Sequence, residues 1–250
     1  ALLTSGDVIT QGGSGSGLYA RNLGLGDVRA QMDGGTVTTG GVSARGLYSV
    51  ISNAASTATA SALLTAGDVV TVGDSGIGIY ALTSGLGDTL AQMDGGTITT
   101  AGVTANGIYS VISNAASTAT ATVLMKEGLI RVTGSESRGI AASGSGAAVA
   151  RMDGGQIIGA ADTVRAIKAS SDDTSGTVAV TALLTAGDVQ LSGANLVGIY
   201  GETLGNGDAL AQIDGGKLVL ARIAAVSLSR ADLAIAREMK ALAEIPDSPE

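Results

Sequence analysis

The segment ALLTSGDV at Ala1 returns as ALLTAGDV at Ala62 and again at Ala182, and this internal repetition constrains the fold more than any other feature of the chain. The first interval is 61 residues, from position 1 to position 62. MDGG at Met32, Met93 and Met152, followed by IDGG at Ile213, shows that a diverged copy beginning at Val123 fills the gap, so there are four long repeats. Each splits in two, because GDVITQGGSGSGLYA and GGTVTTGGVSARGLYS share a β-branched residue followed nine positions later by Gly, Leu and Tyr. The structural unit is therefore a rung of about 30 residues. With Val8 as marker, the equivalents are Val37, Val69, Ile98, Ile130, Ile157, Val189 and Leu218, at intervals alternating between 27 to 29 and 32 residues.

Three aliphatic columns run through all eight rungs. One is the marker column. Ten residues further on stand Leu18, Leu47, Ile79, Ile108, Ile140, Ile167, Ile199 and Leu228, and five before the marker stand Leu3, Met32, Leu64, Met93, Met125, Met152, Leu184 and Ile213. Two positions ahead of that last column lies a small residue: Ala1, Ala30, Ala62, Ala91, Val123, Ala150, Ala182 or Ala211. A spacing of two puts both side chains on one face of a strand. The marker column repeats the pattern, since Thr10, Thr39, Thr71 and Thr100 follow two residues after it. Three short strands per rung joined by Gly-rich turns describe an all-β, right-handed parallel β-helix of about eight rungs, in which like stacks on like.

Composition agrees with a solenoid. The chain is 45% hydrophobic but only 2% aromatic, with 39 Gly, so a core must be assembled from small aliphatic groups in a regular array. Zero Cys excludes disulfides and thiolate metal sites, and zero His removes the commonest metal ligand and general base. A net charge of −8, with no run of Lys and Arg, argues against nucleic acid as a partner. No apolar run approaches the roughly 20 residues that span a bilayer, and the chain opens inside a repeat without a signal peptide, as expected of an excised or mature fragment.

The repeats are expected to occupy residues 1–228. After Leu228 the pattern becomes SRADLAIAREMKALAEI, where Ser229 suits an N-cap and Ile235, Met239 and Leu242 fall at i, i+4 and i+7. This predicts a C-terminal helix over 229–245, ended by Pro246 and followed by a tail over 246–250. Its apolar face would cover the last rung and protect a sheet edge, or it would lead into a following domain.

The units GGTVTTGGVSARGLYS at Gly34 to Ser49 and GGTITTAGVTANGIYS at Gly95 to Ser110 resemble the GGxIxTxGxxxxGIxA repeats of autotransporter passenger domains. The resemblance covers Ala1 to about Leu220 and is weakest in the third repeat. It implies a right-handed β-helix stalk, exposed at or secreted from the Gram-negative outer membrane, with membrane attachment only through a C-terminal β-barrel outside this sequence. Passengers of this kind include adhesins, proteases and esterases, so the fold does not select an activity.

Four sets of residues are candidates for function. Asp33, Asp94, Asp153 and Asp214 of the DGG motifs bear carboxylates of the type that drive glycoside hydrolysis, but recurrence in every second rung is what a tight turn demands. Calcium binding by nonapeptide repeats would need a nine-residue period, and no motif activates the Ser hydroxyls. Tyr19, Tyr48, Tyr80, Tyr109 and Tyr200 each follow an inward residue by one position, so alternation predicts an outward ladder that either stacks against sugar rings or a partner, or stacks on itself. TVT at Thr36 and TIT at Thr97 suit an ice-binding face, but Asp7 with Ile9 and Asp68 with Val70 interrupt it. Charge gathers in the third repeat, where Arg131, Arg138, Arg165 and Lys168 are the cationic binding candidates against a background of solvated mixed charge. The expected role is a structural and adhesive stalk without cofactor or enzymatic activity, engaging a host surface, a matrix, a glycan or its own copies. The alternatives are a polysaccharide-active β-helix enzyme and a homophilic aggregation module.

Overall fold

The computed structural model describes residues 1–174 and 176–221, which form a parallel β-solenoid of about eight turns with no helix among the described residues. The helix expected over 229–245 and the tail after it lie outside the described residues, as does Leu228. Each of the first seven turns contributes one strand to each of three sheets, and the described part of the eighth adds one to the first and second, giving eight, eight and seven strands, every pair parallel and between adjacent rungs. In the second turn, for example, these strands are Val28–Met32, Thr36–Thr39 and Arg45–Ile51. Adjacent rungs are about 4.8 Å apart, so eight span roughly 38 Å.

The registers reproduce the sequence columns. Met32 pairs with Leu64 and Met93 with Met125 in the first sheet, Val69 with Ile98 and Ile98 with Ile130 in the second, and Leu47 with Ile79 and Ile108 with Ile140 in the third. Buried and half-buried residues alternate along first-sheet strands such as Thr89–Met93, as a single packed face requires. Met32, Leu64, Met93, Ile98, Ile108 and Ile130 are fully buried, and the columns converge on one continuous core along the axis.

The Gly before the inward Leu or Ile of the third sheet, present in every described rung but that of Ala166 and Ile167, has a steric cause. A Cβ on Gly46, Gly78 or Gly107 would come within 2.2, 2.5 or 2.6 Å of a methyl of Val69, Ile98 or Ile130, respectively. The glycine and the following aliphatic residue therefore both turn inward, and alternation restarts one residue late. As a result the residue before the glycine and the Tyr after the aliphatic residue, three positions apart, share the outer face: the Arg45 guanidinium carbon lies 4.5 Å from the Tyr48 ring centroid.

The alternating interval also has a structural source. Third-sheet strands return to the first sheet by a short connection, 23–27, or by a long one, 52–59, and these alternate along the solenoid. The short connection fastens the long one, because Asp27 accepts a hydrogen bond from the Thr59 N–H at 2.8 Å and Asp88 accepts one from Thr120 N–H at 2.8 Å.

The Thr column is turned inward as expected, at a cost. The hydroxyls of Thr39, Thr71 and Thr100 are buried without a hydrogen-bond partner, while one rung further the same position holds the fully buried Val132. An unsatisfied buried hydroxyl costs on the order of 1 to 3 kcal/mol. Thr71→Val should therefore raise stability by about 1 kcal/mol in urea melts, and an unchanged or lower midpoint would show that the hydroxyl is satisfied. Ile98→Asp places an unpaired charge in the middle of the core and should abolish cooperative unfolding near room temperature; a circular-dichroism melt like that of the parent chain would refute the column.

Candidate functional site

The DGG carboxylates are turn staples. The second Gly of each motif has positive φ, 86° at Gly35 and Gly96, 77° at Gly155 and 78° at Gly216, a conformation that disfavours side chains. Asp33 accepts hydrogen bonds from the Gln31 amide at 2.5 Å and from the Thr65 hydroxyl of the next rung, which together hold its carboxyl below the usual range. Partial burial works against ionisation of Asp153, but the Thr185 hydroxyl at 2.6 Å and Arg151 at 2.5 Å outweigh it, and its pKa is also lowered. Asp94 pairs with Lys126 at 3.0 Å, and Asp214 accepts from Gln212. Among the described residues no three acidic side chains gather as a metal site would require.

The tyrosines leave the third sheet on its outer side, and the structure divides them. Tyr19, Tyr48, Tyr80 and Tyr109 stack in order, with centroids 5.2, 5.1 and 5.6 Å apart and planes within 22°. Ring faces inside this ladder are used by neighbouring rings, Tyr80 retaining only 9% of its exposure and Tyr19, at the end, 49%. Such pairs add about 0.5 to 1.5 kcal/mol each beyond area burial, so the ladder acts as a spine on the solenoid surface. Burial raises the phenol pKa values of Tyr48 and Tyr80, keeping both hydroxyls protonated. Tyr200 stands apart, separated from Tyr109 by Ala141 and Lys168 in the same register column.

The cationic candidates also divide. Arg131 is exposed on the second sheet, on a different face from the others. Arg138 and Arg165 are register neighbours on the third sheet, and Lys168 lies one strand position column further along the same face. Arg165 and Lys168 approach the Tyr200 ring at 5.3 and 5.9 Å, and Arg138 donates to the Asn106 side-chain oxygen at 3.2 Å. Arg45 belongs to this face too, beside Tyr48 and Tyr80, and Arg21 completes it at the far corner, bonded to Ser52 at 3.2 Å.

Five of the ten Lys and Arg side chains of residues 1–221 thus lie in third-sheet strands: Arg21, Arg45, Arg138, Arg165 and Lys168. Only one of the seventeen Asp and Glu side chains does, Glu202. The linear sequence contains no basic run because these cations come from different rungs. Arg21 and Arg45 lie outside the third repeat in which charge gathers along the sequence, and the signal that brings them to this face is charge read down the strand columns.

No protein-family model, no curated protein and no solved structure matches the chain.

The lowered carboxyl pKa values of Asp33 and Asp153 set a direction for acid stability. A carboxyl held below its unfolded value stabilises the fold above that value, and this contribution disappears as the pH falls through 3.8 and below. The double variant Asp33→Asn, Asp153→Asn should start less stable at neutral pH and lose less on acidification in denaturant melts. An unchanged acid slope would assign the loss to other carboxylates.

Proposed function

We propose that this chain is the structural and adhesive stalk of a bacterial surface protein, a right-handed β-helix rod of the autotransporter passenger kind, standing on or released from a Gram-negative outer membrane. The carrying observation is the unbroken register through all three sheets, which stacks the rungs around one continuous core and sets outer residues in rows along the axis. A surface of repeated rows suits extended contact along a rod. The turn carboxylates support the same reading, since each DGG Asp is committed to a hydrogen bond or ion pair within the strand it follows or with the next rung. The GGTVTTGG and GGTITTAG units supply the likeness to passenger repeats, and the strong preference of parallel crossovers for the right hand supports the handedness.

Of the three faces, the third sheet is the contact surface on this reading, because its outer residues are the most distinctive: four stacked rings, then a cationic break, then a fifth ring. Displayed on non-adherent cells, the segment should promote attachment to a glycan-bearing or matrix-coated surface. A version with Arg138, Arg165 and Lys168 changed to Gln should lose most of that attachment at equal surface expression. Equal attachment by cells lacking the segment would reduce the chain to a spacer.

A further inference from the structure

We infer that the outer face of the third sheet binds an acidic polysaccharide lying along the rod axis, its carboxylates seated at Arg138, Arg165 and Lys168 where the tyrosine ladder is interrupted. The inference rests on the adhesive reading and names the ligand class.

The first support is an unfavourable arrangement that persists in the isolated chain. Arg138 and Arg165 are paired directly across adjacent strands, and like charges in that position destabilise a sheet. Lys168 sits beside them, its pKa lowered by burial first and by the Arg138 and Arg165 charges in addition, with Glu202 opposing. The Nε atoms of Arg45, Arg138 and Arg165 are buried without a hydrogen-bond partner, and a buried charge-bearing donor left unpaired is costly. A carboxylate accepts hydrogen bonds from the terminal NH groups of a guanidinium, so anionic groups seated there relieve the repulsion between the paired arginines.

The second support is the distribution of charge. The chain carries −8 overall, yet this face gathers five cations against Glu202. The acids border it instead: Asp74 and Asp162 lie in turns at one edge, and Asp27, Asp88 and Asp172 at the other. A narrow chain following the axis stays on the cationic strip, whereas a nucleic-acid duplex wide enough to reach both edges meets those carboxylates. Single-stranded nucleic acid depends on stacking against open rings, and the faces inside the ladder are already occupied.

The third support is the chemistry around the break. Ser143 and Ser170 occupy outward positions of the strands Arg138–Gly144 and Arg165–Ser171, and Tyr109 and Tyr200 bracket the break above and below. Hydroxyls beside cations suit a sugar chain, which offers hydroxyls between its carboxylates. Arg138 with Ser143 and Arg165 with Ser170 stand on two adjacent rungs ~4.8 Å apart, so two successive charged sugars each meet an Arg and a Ser.

The test is binding of the whole chain to polygalacturonate oligomers by calorimetry, with fully methyl-esterified oligomers, neutral dextran and single-stranded DNA of similar length as comparison. Binding to polygalacturonate should weaken as salt rises, and esterified or neutral polymer should bind at least tenfold less tightly. Arg165→Gln and Lys168→Gln should each weaken binding by roughly tenfold, while Arg131→Gln on the second sheet leaves it unchanged. Lys168→Gln should also melt no lower than the parent chain without polymer, which separates lost binding from lost folding. Equal binding of esterified polymer, equal weakening by Arg131→Gln, tighter binding of DNA, or no binding at all would each overturn the inference. Attachment of displayed cells with no polygalacturonate binding removes this ligand class and leaves the adhesive reading standing; polymer binding without attachment does the reverse.

Discussion

Inside this solenoid each inward residue is covered by its equivalents in the adjacent rungs, and that one constraint determines what each inward position can hold. An inward Leu or Ile contributes about 1.5 to 3 kcal/mol only when the rungs above and below exclude water from it, so stability is a property of neighbouring pairs of rungs. The constraint explains why the marker column never leaves Val, Ile and Leu, and why the residue facing it across the interior is Gly in nearly every rung. There is no room for a Cβ at Gly46, Gly78 or Gly107 once a branched side chain stands opposite. Ala166 is the one described departure, fully buried in the same core.

The repetition that made the fold legible also limited what could be read from it. Columns of aliphatic residues translate directly into register, because a shift of one position would turn Met93 or Ile98 out of the core. Turn function was equally open to reading, since Asp before Gly-Gly at a fixed phase signals a positive-φ turn, as found at Gly35 and Gly96. Three features could not be read in this way. The inward turn of Gly46 together with Leu47 breaks simple alternation and brings Arg45 to the side of Tyr48. Tyr200 shares a column with Tyr109 but not a stack, because Ala141 and Lys168 intervene. The cationic strip draws on residues more than a hundred positions apart, so no local window reveals it.

The polar groups inside and outside the rod obey different rules. Inside, stacked Thr hydroxyls are tolerated in the early rungs and replaced by Val132 and then Leu191, which bear no such polar group. Outside, aromatic rings satisfy one another while the cations beside them do not. Ring stacking favours repetition of the same residue in adjacent rungs, whereas charge repulsion opposes it. The third sheet contains both patterns on one surface, four tyrosines in succession and then paired arginines. The first pattern needs no partner to be stable. The second is relieved by one.

The alternation of short and long returns between the third and first sheets gives the molecule two periods. The sheets repeat with every rung, but the edge formed by the returns repeats with every second rung, and in the first two long repeats Asp27 to Thr59 and Asp88 to Thr120 tie the short return to the long one after it. The heritable module is therefore the pair. A duplication or deletion of 61 residues keeps each Asp opposite its backbone N–H, whereas loss of a single rung would set two returns of equal length side by side and leave a tie without its partner. Steps of two rungs lengthen or shorten this rod without breaking a tie, and the first and second long repeats, alike at 44 of 61 positions, hold the same Asp and Thr at the same phase.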